Sequence, residues 1–276
     1  MAIQNGIITV SGKLGELVFY RRKQKYVSRK TSKPYQLSAA SIKSSTDFGQ
    51  ASKNAAYLRK AFAPLVAYYA DNDIVNRLNA KMNALFKKIP DVFKGQKQLR
   101  HADLSQLVDF QFNVHTSLSR LLLALPDCNL TQDGLLTITL PKNAIKPLAT
   151  TKRRYKALKL QLMVFNLGFE AEDYELFRVN DLVIDIGQTS FPEARVVVPT
   201  QQGGERALVV ALGAAYCDED RTPTGDRRHF ACQLVYAANV SDGKVVYPEQ
   251  KVTAVKPVEE VGDDSGISWV VGCQEG

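Results

Sequence analysis

Short apolar runs alternate with polar and turn-forming stretches at the start of the chain. The strand-like runs are ITV at 8–10, LVFY at 17–20 and YVSRK at 26–30. The turn-like SGKLG of 11–15 separates the first two, and the polar RRKQK separates the last two. This pattern predicts a β-hairpin arm within residues 1–35.

Both faces of this hairpin carry apolar side chains. Alternation along the strand places Leu17 and Phe19 on one face and Val18 and Tyr20 on the other. A hairpin with one face in water would keep that face polar, and an isolated two-stranded hairpin is only marginally stable. We therefore expect the hairpin to pack on the body of the protein or on another molecule.

Helical signals follow the hairpin. The Ser-, Ala- and Lys-rich residues 37–46 predict a linker or a weak helix. The next helix has N-cap candidates at Ser45, Thr46 and Asp47. Its apolar positions recur every three or four residues, at Phe48, Ala51, Ala55, Leu58 and Phe62. Pro64 is expected to bend this helix or to begin the next one.

Two further helices are predicted before residue 126. Asp71 or Asp73 caps the second helix, which ends at Pro90 and has apolar positions at Ile74, Leu78, Met82 and Leu85. Asp103 caps the third helix, which carries Leu104, Leu107 and Val108. Phe110, Phe112 and Val114 then alternate with polar residues, which predicts a change to strand.

From Cys128 onward the pattern is nearly all β. The predicted strands are 135–140, 155–166, 181–187, 194–199, 207–216 and 230–240, with a further strand at 244–248 or 252–255. Turn signals separate several of them, at 132–134, 202–204 and 241–243. The acidic, loop-like stretch 259–266 precedes ISWVVG, a candidate last strand that contains the only tryptophan, Trp269.

These elements predict an α+β protein. We expect three regions, a basic β-hairpin arm at 1–35, a short helical region at 36–126 and an antiparallel β-sandwich at 127–276. Because no helical pattern alternates with the strands, a parallel βαβ sheet is excluded. At 276 residues and 45% hydrophobic composition, the chain is large enough and apolar enough to bury a core.

The positive charge lies in the first fifth of the chain. The whole chain has 36 Lys and Arg against 28 Asp and Glu, a net charge of +8. Residues 1–60 hold twelve of the bases and only two acids, Glu16 and Asp47, so this segment carries +10 and the remainder −2. The charge therefore indicates one basic segment on a nearly neutral body.

The candidate interaction residues combine bases and aromatic side chains. They are Phe19, Tyr20, Arg21, Arg22, Lys23, Lys25, Tyr26, Arg29, Lys30 and Lys33. Bases neutralise phosphates and aromatic rings stack on nucleobases, which favours nucleic-acid binding. A two-sided apolar strand equally favours an assembly arm that pairs with another subunit. A third interpretation is a solvated hairpin whose charges prevent stray strand pairing. All three remain open.

No sequence motif identifies a reaction. The phosphate-binding, nucleophile-elbow, zinc-protease and dinucleotide fingerprints are all absent. His101, His115 and His229 lie far apart in sequence. The charged loop 218–229 is the best chemical candidate, with acids at 218–220 for a hard cation, but it lacks the calcium-loop register and is expected to be a solvated hairpin loop. The acids at 170–175 are likewise expected to form a solvated turn. We predict a non-catalytic protein with no cofactor.

The four cysteines have neither paired nor zinc-ligand spacing. Cys128 and Cys273 are therefore expected to be reduced core or surface thiols. Cys217 and Cys232 lie at facing ends of two predicted strands, so we expect that they can come close, although a cytosolic setting argues against a disulfide.

The start of the chain has no signal-peptide pattern, and no apolar run is long enough to span a bilayer. We therefore expect a cytoplasmic protein, or a component of a phage-like particle. The expected partners are further copies of the chain or other protein subunits, with nucleic acid as the alternative and no membrane.

The order of several motifs resembles a bacterial family. GKLGELVFYRRKQKYVSRK opens the chain and DFGQASKNAAYLRK follows; DFQFN, GLLTITLP, RYKALKL and ALVVALGAAY come later. This order resembles uncharacterised Bacteroidetes proteins that share a Gly-Lys-x-Gly start and a β-rich second half. The resemblance implies a bacterial or prophage-borne protein and brings no assigned activity with it.

Overall fold

The structure is a computed structural model that confirms the predicted α+β class, with a β-rich C-terminal half. It describes residues 2–4, 9–22, 24–31, 36–67, 69, 71, 73–142, 155–170, 173–186, 191–200 and 203–251. The chain divides into two compact units, Met1–Ser44 and Ser45–Gly276, which we call the N-terminal and C-terminal units.

The N-terminal unit contains a four-stranded antiparallel sheet in the order β1-β4-β3-β2. Its strands are β1 (Ala2–Ile3), β2 (Gly12–Leu14), β3 (Leu17–Arg22) and β4 (Lys25–Lys30). The predicted hairpin is therefore present as β3 and β4, which pair from Leu17 opposite Lys30 to Arg22 opposite Lys25.

Two details of this sheet correct the prediction. Residues 12–14, expected to be a turn, form β2, because the left-handed Gly15 (φ +58°) closes a turn short enough for Leu14 to pair with Leu17. The described residues of the expected first strand, Thr9 and Val10, lie outside any strand. The Gln4 side chain takes the place of a strand partner there, because its amide bonds both the N–H (3.1 Å) and the carbonyl (3.3 Å) of Val10.

The α-helices lie between residues 39 and 121, and a further 3₁₀ turn follows at Arg227–His229. They are α1 (Ala39–Ala61), α2 (Ala63–Val66), α3 (Ile74–Lys87) and α4 (Leu118–Leu121), with single 3₁₀ turns at Asp91–Phe93, Leu99–His101 and Leu104–Leu107. Pro64 begins α2, as one of the two alternatives predicted. The third predicted helix is only the 3₁₀ turn at 104–107, which Asp103 caps by accepting a bond from the Ser105 N–H (3.1 Å).

The first helix starts earlier than predicted. Ser38 accepts a bond from the Ser41 N–H (3.2 Å), so α1 begins at Ala39 and the expected N-cap residues 45–47 lie inside the helix. Asp47 is buried and accepts bonds from the backbone N–H groups of Gly95 and Lys97 instead. Phe48 was expected on the buried stripe but is 59% exposed, whereas Ala51, Ala55 and Leu58 are buried.

The segment after Phe110 does not form the predicted strand. It follows β12 (Phe230–Ser241) for a few residues, where the Phe112 N–H bonds the Cys232 carbonyl (2.8 Å). Only Gln111 forms a bridge with that strand, opposite Gln233. The left-handed Asp109 (φ +69°) turns the chain into this position from the preceding 3₁₀ turn, which leaves too few residues in register for a ladder.

The C-terminal unit contains two antiparallel sheets. Its other strands are β5 (Asp127–Leu130), β6 (Leu135–Leu140), β7 (Ala157–Gly168), β8 (Tyr174–Arg178), β9 (Leu182–Asp185), β10 (Ala194–Pro199), β11 (Glu205–Cys217) and β13 (Lys244–Val246). One sheet has the order β10-β6-β5, and the other has β13-β12-β11-β7-β8, with β9 also pairing with β7. The strands β5 and β8 were not predicted, and the candidate strands at 252–255 and 267–272 lie outside the described residues.

Hydrophobic cores lie on both faces of the larger sheet. On one face, buried side chains of α1 and α3 pack with Met163, Phe165 and Val209. On the other face, Leu160 and Val210 join side chains of the smaller sheet. Because β11 is covered on both sides, its sequence is a continuous apolar run and does not alternate.

The C-terminal unit is thus a helical layer, a larger sheet and a smaller sheet. The predicted helical region and the predicted β-sandwich share one core, so no boundary between units falls at residue 126. The physical reason is that a helix with one apolar face must bury that face, and the nearest apolar surface is the sheet.

Candidate interaction surface on the N-terminal sheet

The strand register of the N-terminal sheet sorts its side chains onto two faces, because residues directly opposite each other across a ladder share a face. What we call the apolar face carries Leu14, Leu17, Phe19, Arg21, Tyr26, Ser28 and Lys30. What we call the basic face carries Ile3, Lys13, Val18, Tyr20, Arg22, Lys25, Val27 and Arg29.

The apolar face presents aliphatic side chains to solvent. Leu14 is 69% exposed and Leu17, its partner across the ladder, is 43% exposed. The Arg21 guanidinium lies over the Tyr26 ring at 5.8 Å, a cation–π contact. Lys30 forms an exposed ion pair with Glu16 (2.9 Å), which offsets one positive charge at this edge. The apolar face is therefore largely hydrophobic and only weakly charged.

The basic face carries four exposed bases, Lys13, Arg22, Lys25 and Arg29. No acidic residue lies on its three longest strands. Arg22 and Lys25 lie directly opposite each other, a like-charged pair that costs stability in a sheet. The Arg29 guanidinium lies over the Tyr20 ring at 5.7 Å. This face suits an anionic partner.

The structure places eight of the ten predicted site residues on β3 and β4, and it divides them equally. Phe19, Arg21, Tyr26 and Lys30 lie on the apolar face; Tyr20, Arg22, Lys25 and Arg29 lie on the basic face. Lys23 and Lys33 lie outside the described residues. The predicted residues therefore belong to two opposite faces of the sheet and do not form one surface.

Lys13 and Leu14 were missed as surface residues. Each belongs to one of the two faces, but both were assigned to a turn because Gly12 and Gly15 flank them. The sequence does contain a signal for this pairing. Gly15 allows a two-residue turn at positions 15 and 16, which leaves Lys13 and Leu14 able to pair with the next strand.

The charged loop 218–229 is held both by bonds within the loop and by other parts of the C-terminal unit, since Asn113 and Thr116 donate to the carbonyls of Arg227 (2.7 Å) and Arg228 (2.6 Å). Asp218 accepts a bond from the Thr222 N–H (3.0 Å), and Asp226 binds the Arg228 side chain (2.9 Å). Hydrogen bonds from Arg228 hold the pKa of Asp226 well below its usual range. His229 contacts both Asp226 (3.2 Å) and the Tyr155 hydroxyl (2.9 Å). Within the described ranges, no group of three or more His, Cys, Asp or Glu side chains could hold a metal ion.

The acidic stretch 170–175 is not simply the solvated turn that was expected. Glu175 belongs to β8 and accepts a bond from Asn166 (2.8 Å). Asp173 pairs with the buried Arg206 (3.3 Å), whose Nε donates to the same Asn166 (3.0 Å). The partners of Asp173 and Glu175 lie on neighbouring strands, and only the folded sheet brings these acids to them.

Cys217 and Cys232 do not face each other. Cys232 lies opposite Gly213 on β11, and the β11–β12 ladder ends at Ala215, two residues before Cys217. Cys128, Cys217 and Cys232 are free thiols, and burial is the main cause that raises the pKa of each. Cys273 lies outside the described residues.

Neither a protein-family model nor a curated protein matches the chain. The resemblance to Bacteroidetes proteins therefore stays a prediction. Among the helices that the structure describes, none has the length and apolar character needed to cross a bilayer.

Proposed function

We propose that the chain is a non-catalytic assembly protein whose N-terminal sheet packs its apolar face on another protein subunit. A second copy of the chain is the simplest such subunit, and a component of a larger bacterial or phage-like complex is the other. The observation that carries the proposal is the exposure of the paired Leu14 and Leu17 beside the half-buried Phe19 and Tyr26.

The free energy of such an interface depends on the apolar area that it buries. Burying one fully exposed leucine side chain contributes about 1.5–3 kcal/mol, so Leu14 (69% exposed) and Leu17 (43% exposed) together supply about 2–3 kcal/mol to an interface. That amount corresponds to about a hundredfold in a dissociation constant. Cross-strand pairing fixes both side chains on one face, which lowers the entropy cost of presenting them.

The test replaces both leucines in the full-length chain. Sedimentation velocity of the L14S/L17S variant should show self-association weakened by about a hundredfold relative to the unchanged protein. V10S is the matched control, because Val10 is an exposed apolar residue of the same unit that lies outside the strands. Equal association of all three proteins would reject the apolar face as the interface.

The basic face favours nucleic-acid binding as a second candidate function. If its four bases each met a phosphate, the logarithm of duplex-DNA affinity would fall against the logarithm of salt with a slope of about −3.6. K25Q/R29Q should halve that slope, whereas K30Q, on the apolar face, should leave it nearly unchanged. Absence of a gel shift at low salt excludes this candidate.

A further inference from the structure

The C-terminal unit contains a groove between α1 and one edge of the larger sheet. It has a volume of about 530 Å³, and Phe165, Leu167, Tyr174 and Leu176 form its floor. These four side chains share a face, because Leu176 lies opposite Phe165 and Tyr174 opposite Leu167 in the β7–β8 ladder. Tyr174 is 67% exposed, so the edge strand β8 presents an apolar surface at the groove.

The groove has a positively charged rim. Among the residues that the structure describes, its lining includes Lys53, Lys60 and Arg100 and no acid. Lys53 and Lys60 lie with Tyr57 on one face of α1, and the Lys53 ammonium is 5.6 Å from the Tyr57 ring centre. Arg100 lies over Phe169 at 5.7 Å and pairs with Glu205 outside the lining set (2.9 Å). An apolar floor with a basic rim selects an acidic ligand that carries an aromatic or aliphatic anchor.

We propose that this groove binds residues 258–271 of the same chain. This segment lies outside the described residues. It contains four acids, Glu259, Glu260, Asp263 and Asp264, and no base, followed by the apolar residues Ile267, Trp269, Val270 and Val271. Its acids complement the lysine rim, and its aromatic and aliphatic side chains complement the floor.

The point where the described chain ends supports binding within one molecule. The Lys251 N–H donates to the Lys88 carbonyl (2.6 Å), and Gln250 donates to the His101 carbonyl (3.3 Å). His101 closes the 3₁₀ turn whose other two residues, Leu99 and Arg100, line the groove. The six residues 252–257 join Lys251 to the segment and can span up to about 20 Å.

Trp269 reports on this contact directly, because it is the only tryptophan in the chain. In the full-length protein we expect Trp269 emission to be blue-shifted and its acrylamide quenching reduced, both relative to the urea-unfolded chain. K53E/K60E should lower the ratio of bound to free segment by about tenfold, moving both signals toward the unfolded values. Both lysines are exposed, so the fold should tolerate the change.

The matched control is K142E/K244E, which makes the same charge change at two exposed lysines outside the groove. Its emission and quenching should equal those of the unchanged protein. Identical signals in all three proteins would overturn the proposal, as would a Trp269 in the unchanged protein that is quenched as readily as in the unfolded chain. Protection that appears only as concentration rises would contradict binding within one molecule.

Discussion

Replacing Asp47 with alanine removes a buried carboxylate from the middle of α1. Asp47 is 9% exposed, and its two oxygens accept bonds from the Gly95 N–H (3.0 Å each) and the Lys97 N–H (3.1 Å). In D47A these two backbone donors lose their acceptor. Because an unpaired buried polar group costs about 1–3 kcal/mol, we expect a loss of about 3 kcal/mol. If Asp47 only capped a helix, its replacement by alanine would lower the unfolding free energy by about 1 kcal/mol.

The assay is thermal unfolding followed by circular dichroism. For a unit of this size, 3 kcal/mol corresponds to a fall in Tm of about 6–12 °C. D47N keeps one acceptor oxygen and should lose about half as much. D220A, which removes an exposed carboxylate, should unfold like the unchanged protein. A Tm for D47A within about 2 °C of the unchanged protein would refute the reasoning, since water would then satisfy both donors.

Two further predictions concern the packed C-terminal unit. A Cβ on Gly168 would overlap Asp173 Oδ1, and displacing that carboxylate would break its ion pair with the buried Arg206, so G168A should cost about 1–3 kcal/mol in urea unfolding. The matched control is Gly49, which lies in α1 with no atom near its Cβ position. G49A should stabilise the protein by about 0.5–1 kcal/mol. Equal changes in the unfolding free energy of G168A and G49A would contradict the overlap at Gly168. Burial raises the pKa of Cys128 to about 12 and also raises those of Cys217 and Cys232, so iodoacetamide at about pH 8 should modify all three only after unfolding. Rapid modification in the folded state, read by mass spectrometry of peptides, would contradict this burial.

Alternation and turn signals were enough to predict most strands of the C-terminal unit. The strands at 135–140 and 194–199 match residue for residue, because each has one face on the core and a turn or loop at each end. The strand β8, with the sequence YELFR, is not predicted because it lies at the edge of the larger sheet and carries charged residues. Its charged residues suggested a turn, whereas Glu175 is satisfied by Asn166 on the neighbouring strand.

The predicted site was limited for a related reason. All the described candidate residues lie on β3 and β4, so the segment that the sequence singled out is one continuous hairpin. The sequence alone does not assign all the side chains to the two faces of the sheet. That assignment depends on the turn at 15–16 and on the pairing of β2 with β3. The groove beside α1 was invisible to sequence analysis, since its floor combines β7 with the missed strand β8.

The most direct test of assembly through the N-terminal sheet is sedimentation velocity of the unchanged chain over the micromolar range. Assembly through the apolar face predicts a weight-average sedimentation coefficient that rises with concentration, and a rise that persists at high salt because apolar burial is not screened by ions. A single species with the 30.6 kDa mass of one chain at every concentration would contradict self-assembly.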